Sequence, residues 1–404
     1  MKSEVIKKTL LNGLRLIHIK NKSNNIIIKA TIKVGSQNET EENSGITHFL
    51  EHVLWQGTKT KNAEEIRSNL KDMNANFNAF TSFKTTNHFV SGPRRNYEKM
   101  LKLILDVIQN PAFDLKEIER ERNVILDEYN RKSDDIYQIL TDTIYQFIFK
   151  NHALGRSKIG TEENIKSFTS EQLIDYYNKY YVSNNIIISV IGNINNPEEV
   201  IEKYLTLESG ALAEDKFIDP EPIINNEKII LNKSNLATHL GLAFLTSKKG
   251  HKDTAGINII DYLLDFGKNI NLCNAVRQKQ GLTYNITAYN TIYSEVGVLI
   301  IKTTTPPDKV DIVINTIISE IKKLDEITNQ ELNFAKRKTI TNLKKSGRWP
   351  IFLLEKELDK ELFNVEETTE EEIEKIKSVT KEDIKRIAKE YFNNYLIVII
   401  KPKS

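Results

Sequence analysis

Glu163-Asn164-Ile165-Lys166-Ser167-Phe168-Thr169-Ser170-Glu171 is a stretch that the chain writes twice. Glu374-Lys375-Ile376-Lys377-Ser378-Val379-Thr380-Lys381-Glu382 repeats its pattern 211 residues further on (163 to 374). Each copy runs into an expected helix, residues 171–181 and 382–392, with Thr169 or Thr380 as the capping residue and acidic side chains in the first turn. Each helix leads into an apolar strand, residues 186–191 and 396–400. Two halves that end in the same helix-then-strand order imply an internal duplication. Ser209-Gly210 and Asp219-Pro220-Glu221-Pro222 mark a linker between them. Two homologous domains are therefore expected, at 1–210 and 220–404.

Working outward from the repeat, each half mixes strands and helices. In the first half, alternating apolar residues predict strands at 5–9 and 14–20, joined by the Asn12-Gly13 turn, and at 26–34 and 87–91. Helical spacing falls at 46–56, 62–73, 97–108, 115–132 and 135–149. In the second half strands are expected at 228–231, 240–245 and 298–304, with helices at 253–266 and 307–324. This irregular order predicts an α+β fold in which each domain is a mostly antiparallel sheet covered by helices.

The helix at 46–56 carries the motif His48-Phe49-Leu50-Glu51-His52. His48, Glu51, His52 and Trp55 stand at i, i+3, i+4 and i+7 and share one face. Ile46, Phe49, Leu50, Val53 and Leu54 cover much of the remaining circumference, so the helix is expected to be mostly buried. Burying three ionisable groups together is costly without compensation. A divalent metal compensates them: imidazoles one turn apart both reach a zinc ion, and the carboxylate between them can deprotonate a water. Such a site needs a third protein ligand. The helix at 115–132 offers Glu117, Glu119, Glu121, Asp127 and Glu128. Glu121 and Glu128, two turns apart, share a face, but periodicity alone does not choose among these five.

Bulk properties narrow the function classes. The chain has 404 residues and a net charge of +2, from 57 basic and 55 acidic residues, which gives no general affinity for nucleic acid or acidic membranes. Cys273 is the only cysteine, so neither an intramolecular disulfide nor a zinc site of several thiolates is possible. The first twenty residues hold no signal-peptide pattern, and no apolar run is long enough to span a bilayer. Neither a membrane nor a nucleic-acid partner is expected. The expected location is the cytoplasm, and an organelle is compatible with the same features.

The motifs together resemble the pitrilysin/insulysin family of inverted zincins, in particular the half-length branch of mitochondrial and bacterial processing peptidases. Gly35-Ser36 and Glu39 precede Gly45-Ile46-Thr47 and the His48–His52 motif; Gln56-Gly57-Thr58-Lys59 follows it. Asn78-Ala79-Phe80-Thr81, the run from Glu121 to Glu128, Leu154-Gly155 and Ile159-Gly160 match further family motifs. The resemblance implies zinc, one ion per chain, held by His48, His52 and Glu128, with Glu51 as general base and Glu121 behind the ligands. It implies that Arg277 and Tyr284, within Arg277-Gln278-Lys279-Gln280-Gly281-Leu282-Thr283-Tyr284, approach the scissile carbonyl. It implies a peptide substrate lying against a strand at Asn78, Ala79, Phe80 and Thr81, a reading that the polar and aromatic residues of this segment also support as an edge strand. His88 departs from the family pattern, which has Tyr there, and Asp72–Asn76 lacks the usual Gly. Family members enclose the site between four such domains, so this chain is expected to form a homodimer with an active site shared between chains. The expected activity is endopeptidase hydrolysis of unfolded peptides or peptide extensions. The alternatives are a non-catalytic peptide-binding or core subunit, against which the intact metal motif argues, and a hydrolase of non-peptide substrates.

Overall fold

The computed structural model describes residues 3–212, 226–233, 237–278, 281–283 and 285–403. In the first half the chain runs β1 (Glu4–Thr9), β2 (Arg15–Lys20), β3 (Asn25–Ile32), α1 (Ile46–Leu54), a short ribbon of β4 (Gly57–Thr58) and β5 (Lys61–Asn62), and α2 (Ala63–Asp72). It continues through β6 (Asn76–Thr81), β7 (Thr86–Pro93), α3 (Tyr97–Gln109), α4 (Leu115–Asp134), α5 (Ile136–Ile148), α6 (Glu162–Ser167), α7 (Ser170–Tyr180), β8 (Ile186–Gly192) and α8 (Pro197–Tyr204). The second half runs β9 (Glu227–Lys233), β10 (Thr238–Thr246), α9 (Thr254–Phe266), β11 (Ile286–Ile292), β12 (Gly297–Thr305) and α10 (Val310–Lys322). It ends with α11 (Asn329–Ser346), α12 (Pro350–Phe363), α13 (Thr369–Ser378), α14 (Lys381–Tyr391) and β13 (Leu396–Pro402).

The duplication extends to the sheets. The first has the order β1-β2-β8-β3-β7-β6, the second β9-β13-β10-β12-β11. Every neighbouring pair is antiparallel except β2/β8 and β9/β13, which are the corresponding pairs of the two sheets. The fold is α+β, with sheets covered by helices. The repeated stretch does what its residues predict: Thr169 and Thr380 cap α7 and α14, each accepting the amide N–H three residues on. The turn between β1 and β2 uses Gly13 at φ +82°, where any side chain would be strained.

By compactness the chain forms two units. One comprises Met1–Lys132, Arg156–Lys216 and Pro350–Glu357; the other Ser133–Gly155, Phe217–Trp349 and Leu358–Ser404. In the first unit, Ile26, Ile28, Ala30, Ile32, Ile188 and Val190 point to one side and pack with Phe49, Leu50, Ile104 and Ile108 in a single core. The sheet's other side carries Lys29, buried and paired with Glu355 of the Pro350–Glu357 segment at 2.8 Å. In the second unit Leu240, Leu242 and Phe244 pack with Ile260, Leu264 and Ile317. There α5 lies so close to β10 that a Cβ at Gly241 would come within 2.8 Å of the Ile144 side chain. Among the described residues no helix is long and apolar enough to cross a membrane.

Candidate metal centre

The centre belongs to the first unit and starts from how α1 begins. Gly45 has φ +97°, and a Cβ there would lie 2.5 Å from the Ile159 carbonyl oxygen, so only glycine fits. The buried Glu39 carboxylate then accepts the amide N–H of Gly45 at 2.9 Å and of Thr47 at 3.0 Å, satisfying donors that the helix leaves open. Burial pushes the Glu39 carboxyl up, to about 7, against the pull of those amides and of Arg156. Phe49, Leu50 and Leu54 anchor the helix in the core, leaving His48 and His52 half-buried on the opposite face and Glu51 buried beside them.

On that face three donor atoms converge. Nε2 of His48 lies 3.8 Å, and Nε2 of His52 3.7 Å, from one oxygen of Glu128 on α4. Ligand atoms of His48, His52 and Glu128 all fall within 4.8 Å of one another. These contacts are too long for hydrogen bonds. Ligands about 2.0–2.1 Å from a tetrahedral zinc stand roughly 3.3–3.5 Å apart, so the opening is of a size that such an ion bridges. Glu121, one helical face with Glu128 but two turns earlier, meets His52 at Nδ1, 3.1 Å away, and so turns Nε2 of that ring toward Glu128. His48 Nδ1 is buried with no hydrogen-bond partner among the described residues. Lys132 Nζ sits 2.7 Å from the other oxygen of Glu128.

The electrostatics suit a cation. Burial lowers the pKa of His48, aided by His52 and opposed by Glu128, so His48 is held in the neutral form that ligates metals. Burial works to lower His52 too, but the Glu121 hydrogen bond and the Glu51 and Glu128 charges outweigh it and raise the value. Burial would raise Glu128, but Lys132 and the two imidazoles hold it low. Three carboxylates surround two imidazoles, an excess of negative charge that a divalent ion balances. The donor set of two imidazoles and one carboxylate fits zinc and leaves a fourth position open.

Glu51 lies close enough to His52 and Glu128 for their charges to act on it. Burial raises its carboxyl, and Thr81 opposes this by donating its hydroxyl to Glu51 Oε2 at 2.7 Å. Thr81 closes β6, the edge strand of its sheet. The structure thus joins Thr81, expected only to contact substrate, to the carboxylate expected to act as base. Asn78, Ala79 and Phe80 lie in the same edge strand. Phe80 stacks on Phe89 of β7, ring centroids 5.6 Å apart, and remains exposed. Arg277 belongs to the second unit, on a π-helical turn, Cys273–Gln278. Tyr284 lies outside the described residues. Sequence reasoning left out Glu39 as the cap of α1, Lys132 on Glu128 and the Thr81–Glu51 bond. Of these only Lys132 carried a signal, its i+4 spacing from Glu128.

Fold and site together define an α+β scaffold that carries a candidate metal centre. The family model Insulinase (Peptidase family M16) matches residues 16–162, and the model Peptidase M16 inactive domain matches residues 167–339. The chain belongs to peptidase family M16. It is 30% identical over 333 residues to the uncharacterized zinc protease YmxG of Bacillus subtilis, covering 81% of each chain. It is 30% identical over 322 residues to an uncharacterized zinc protease of Rickettsia bellii, covering 79% of this chain and 78% of that one. The beta subunit of the mitochondrial-processing peptidase of Bos taurus is 28% identical over 363 residues, 85% of this chain and 73% of that one. A protease from Helicobacter pylori has the same fold, with a TM-score of 0.90 at 22% identity over 99% of this chain and all of that one.

Proposed function

We propose that this protein is a zinc-dependent endopeptidase that hydrolyses extended, unfolded peptides or peptide extensions. The observation that carries the reading is the convergence of His48, His52 and Glu128 on one opening, with Glu51 close enough for the charges of His52 and Glu128 to act on it. In this reading His48, His52 and Glu128 hold one zinc ion per chain. When bound, zinc supplies Lewis acidity, making a water easier to deprotonate and a carbonyl easier to attack. A peptide laid along the outer edge of β6, which pairs with no further strand among the described residues, adds its main chain to that edge and stands extended beside α1. Glu51 takes a proton from the attacking water as the water oxygen bonds to the scissile carbonyl carbon. It then delivers that proton to the leaving nitrogen as the C–N bond breaks, yielding a carboxylate and an amine. Glu121 holds the His52 ring in place, and Thr81 holds the Glu51 carboxylate.

The two domains, 1–210 and 220–404, divide this work: the first brings ligands and base, the second Arg277 and Tyr284. In a homodimer, Arg277 and Tyr284 of the partner subunit supply a cation and a phenol donor to the oxygen on which negative charge develops. Because only an extended chain can pair with an edge strand, a folded protein must first unfold, at about 5–15 kcal/mol. Purified protein should contain about one zinc per chain, cut unstructured peptides, spare stable globular proteins and stop when chelator removes the metal. His48→Ala and Glu128→Ala should each lose the zinc. Protein never exposed to chelator that holds no divalent ion, or rapid cleavage within a compact, stable domain, would overturn the reading.

A further inference from the structure

His88 has no part in the mechanism above, yet it is fully buried beside the site. It lies on β7 directly across from Ala79 of the edge strand. The indole N–H of Trp55 points at its Nδ1 from 3.0 Å. An indole can only donate, so Nδ1 accepts and the ring proton sits on Nε2, which faces the Tyr181 hydroxyl at 3.5 Å. Burial pushes the imidazole down to about 3, so the ring stays neutral and keeps its acceptor. Held by this bond, Trp55 stacks on Phe77, ring centroids 4.4 Å apart at an interplanar angle of 27°. Trp55 is one turn beyond His52 on the ligand face of α1 and is itself buried, whereas Phe77 is 44% exposed.

Side chains alternate along a strand, so Phe77, Ala79 and Thr81 share one side of β6. Phe77 meets Trp55, and Thr81 meets Glu51. Ala79, the small residue between them, separates an aromatic wall from the candidate base. We propose that His88 is a positioning residue that locks the Trp55 indole against Phe77, and that this wall selects extended peptides presenting a large apolar side chain beside the scissile bond. The inference rests on the peptidase reading above. It assigns His88 a role in choice of peptide, separate from metal binding and proton transfer.

The chemistry sets the direction of the effect. Replacing His88 by Phe fills the space but leaves a buried N–H without an acceptor, so the indole gives up its place to find one. One apolar contact in a pocket commonly discriminates by ten- to two-hundred-fold, and loosening the wall should forfeit the lower end of that range. The experiment uses zinc-loaded protein and two unstructured peptides that differ by Phe or Ala at the residue flanking the cleavage site. In H88F, kcat/KM for the Phe peptide should fall about tenfold, mainly through KM. The Ala peptide should change less than twofold, with zinc content unchanged. H88Q, whose carboxamide oxygen can accept the indole N–H, should recover most of the preference. W55F should lose the preference too, and adding H88F to W55F should cost nothing further, because His88 acts through the indole. Should H88F fail to fold, W55F and H88Q carry the same test. An equal fall with both peptides, or additive losses in the double variant, overturns the inference while leaving the peptidase reading intact. Wild-type protein that cuts neither peptide overturns the peptidase reading, and this inference with it.

Discussion

Helices α1 and α9 follow equivalent strands in the two repeats and bury the same face. Phe49, Leu50, Val53 and Leu54 of α1 are matched in burial by Ile259, Ile260, Leu263 and Leu264 of α9, and Gly57 by Gly267, all at one offset. That alignment puts Asn258, Asp261 and Tyr262 where the first repeat has His48, Glu51 and His52. The outcome differs. In the first repeat the polar groups converge with Glu128 and Glu121, and each carboxylate has a partner. In the second, Tyr262 lies among the rings of Phe266 and Phe334, and Asp261 keeps an oxygen buried without a partner among the described residues. Burial, with the Asp265 charge adding to it, pushes the Asp261 carboxyl up to about 7. Among the described residues only His48, His52 and Glu128 form a group able to hold a metal. The scaffold delivers a helix to the same place twice; the side chains at three aligned positions, with Glu121 and Glu128 from α4, separate a convergent donor set from a lone buried acid.

The hardest test of that contrast is to disarm both acids. Glu51→Gln should keep its zinc and lose roughly 10²–10⁴-fold in kcat, the contribution typical of a positioned general base. Asp261→Asn should leave kcat within twofold. Zinc analysis and peptide kinetics on both proteins decide it; retained activity in the Glu51 variant, or loss in the Asp261 variant, would erase the distinction between the helices.

Much of this contrast could be read from the chain itself. The spacing of His48, Glu51 and His52 is a local property of one helix, and the apolar positions around it predict its burial. The repeat around Thr169 and Thr380 is local as well, since caps act within one turn. Legibility ended where partners are distant in sequence. Glu121 and Glu128 present the same periodicity, and only the packing of α4 against α1 gives one to Nδ1 of His52 and the other to Nε2. The Thr81–Glu51 bond spans thirty residues and depends on the register of β6 with β7. Strand β11 went unread because Ile286–Ile292 mixes polar and apolar residues without clean alternation. Helices α11 and α12 give a weaker signal because few of their side chains are buried, Leu332 and Ala335 in the one and Leu354 and Leu358 in the other.

A sharper version of the comparison asks what the second repeat contributes instead of a metal site. If it lends Arg277 and Tyr284 to a partner's centre, two inactive variants should complement. Glu51→Gln and Tyr284→Phe protein, mixed at equal amounts under conditions that exchange subunits, gives mixed dimers with one doubly damaged site and one intact site. Random pairing restores roughly a quarter of wild-type activity. No recovery in a preparation containing mixed dimers, or a fully active monomer, rules out sharing between chains.

The smallest expected effect concerns stability and isolates Asp261. An aspartate whose folded pKa is raised holds its proton more tightly in the native state than in the unfolded chain, where the value is near 3.9. Between those values the native state carries more protons, so stability is greatest at low pH and is lost as pH rises through about 7. Asp261 is mostly shielded from water, and a shift of about three units corresponds to roughly 4 kcal/mol at most. Asp261→Asn keeps the shape, cannot ionise and should flatten this part of the profile. Other groups, Glu39 among them, titrate in the same range, but they do so in both proteins, so the difference between wild type and variant isolates Asp261. Unfolding free energies from urea titrations at steps from about pH 4 to 8 should nearly coincide at the acid end. They should then separate by roughly 2–4 kcal/mol in favour of the variant at the alkaline end. Parallel profiles would mean that Asp261 is ionised throughout, and that the second helix has found a counter-charge after all.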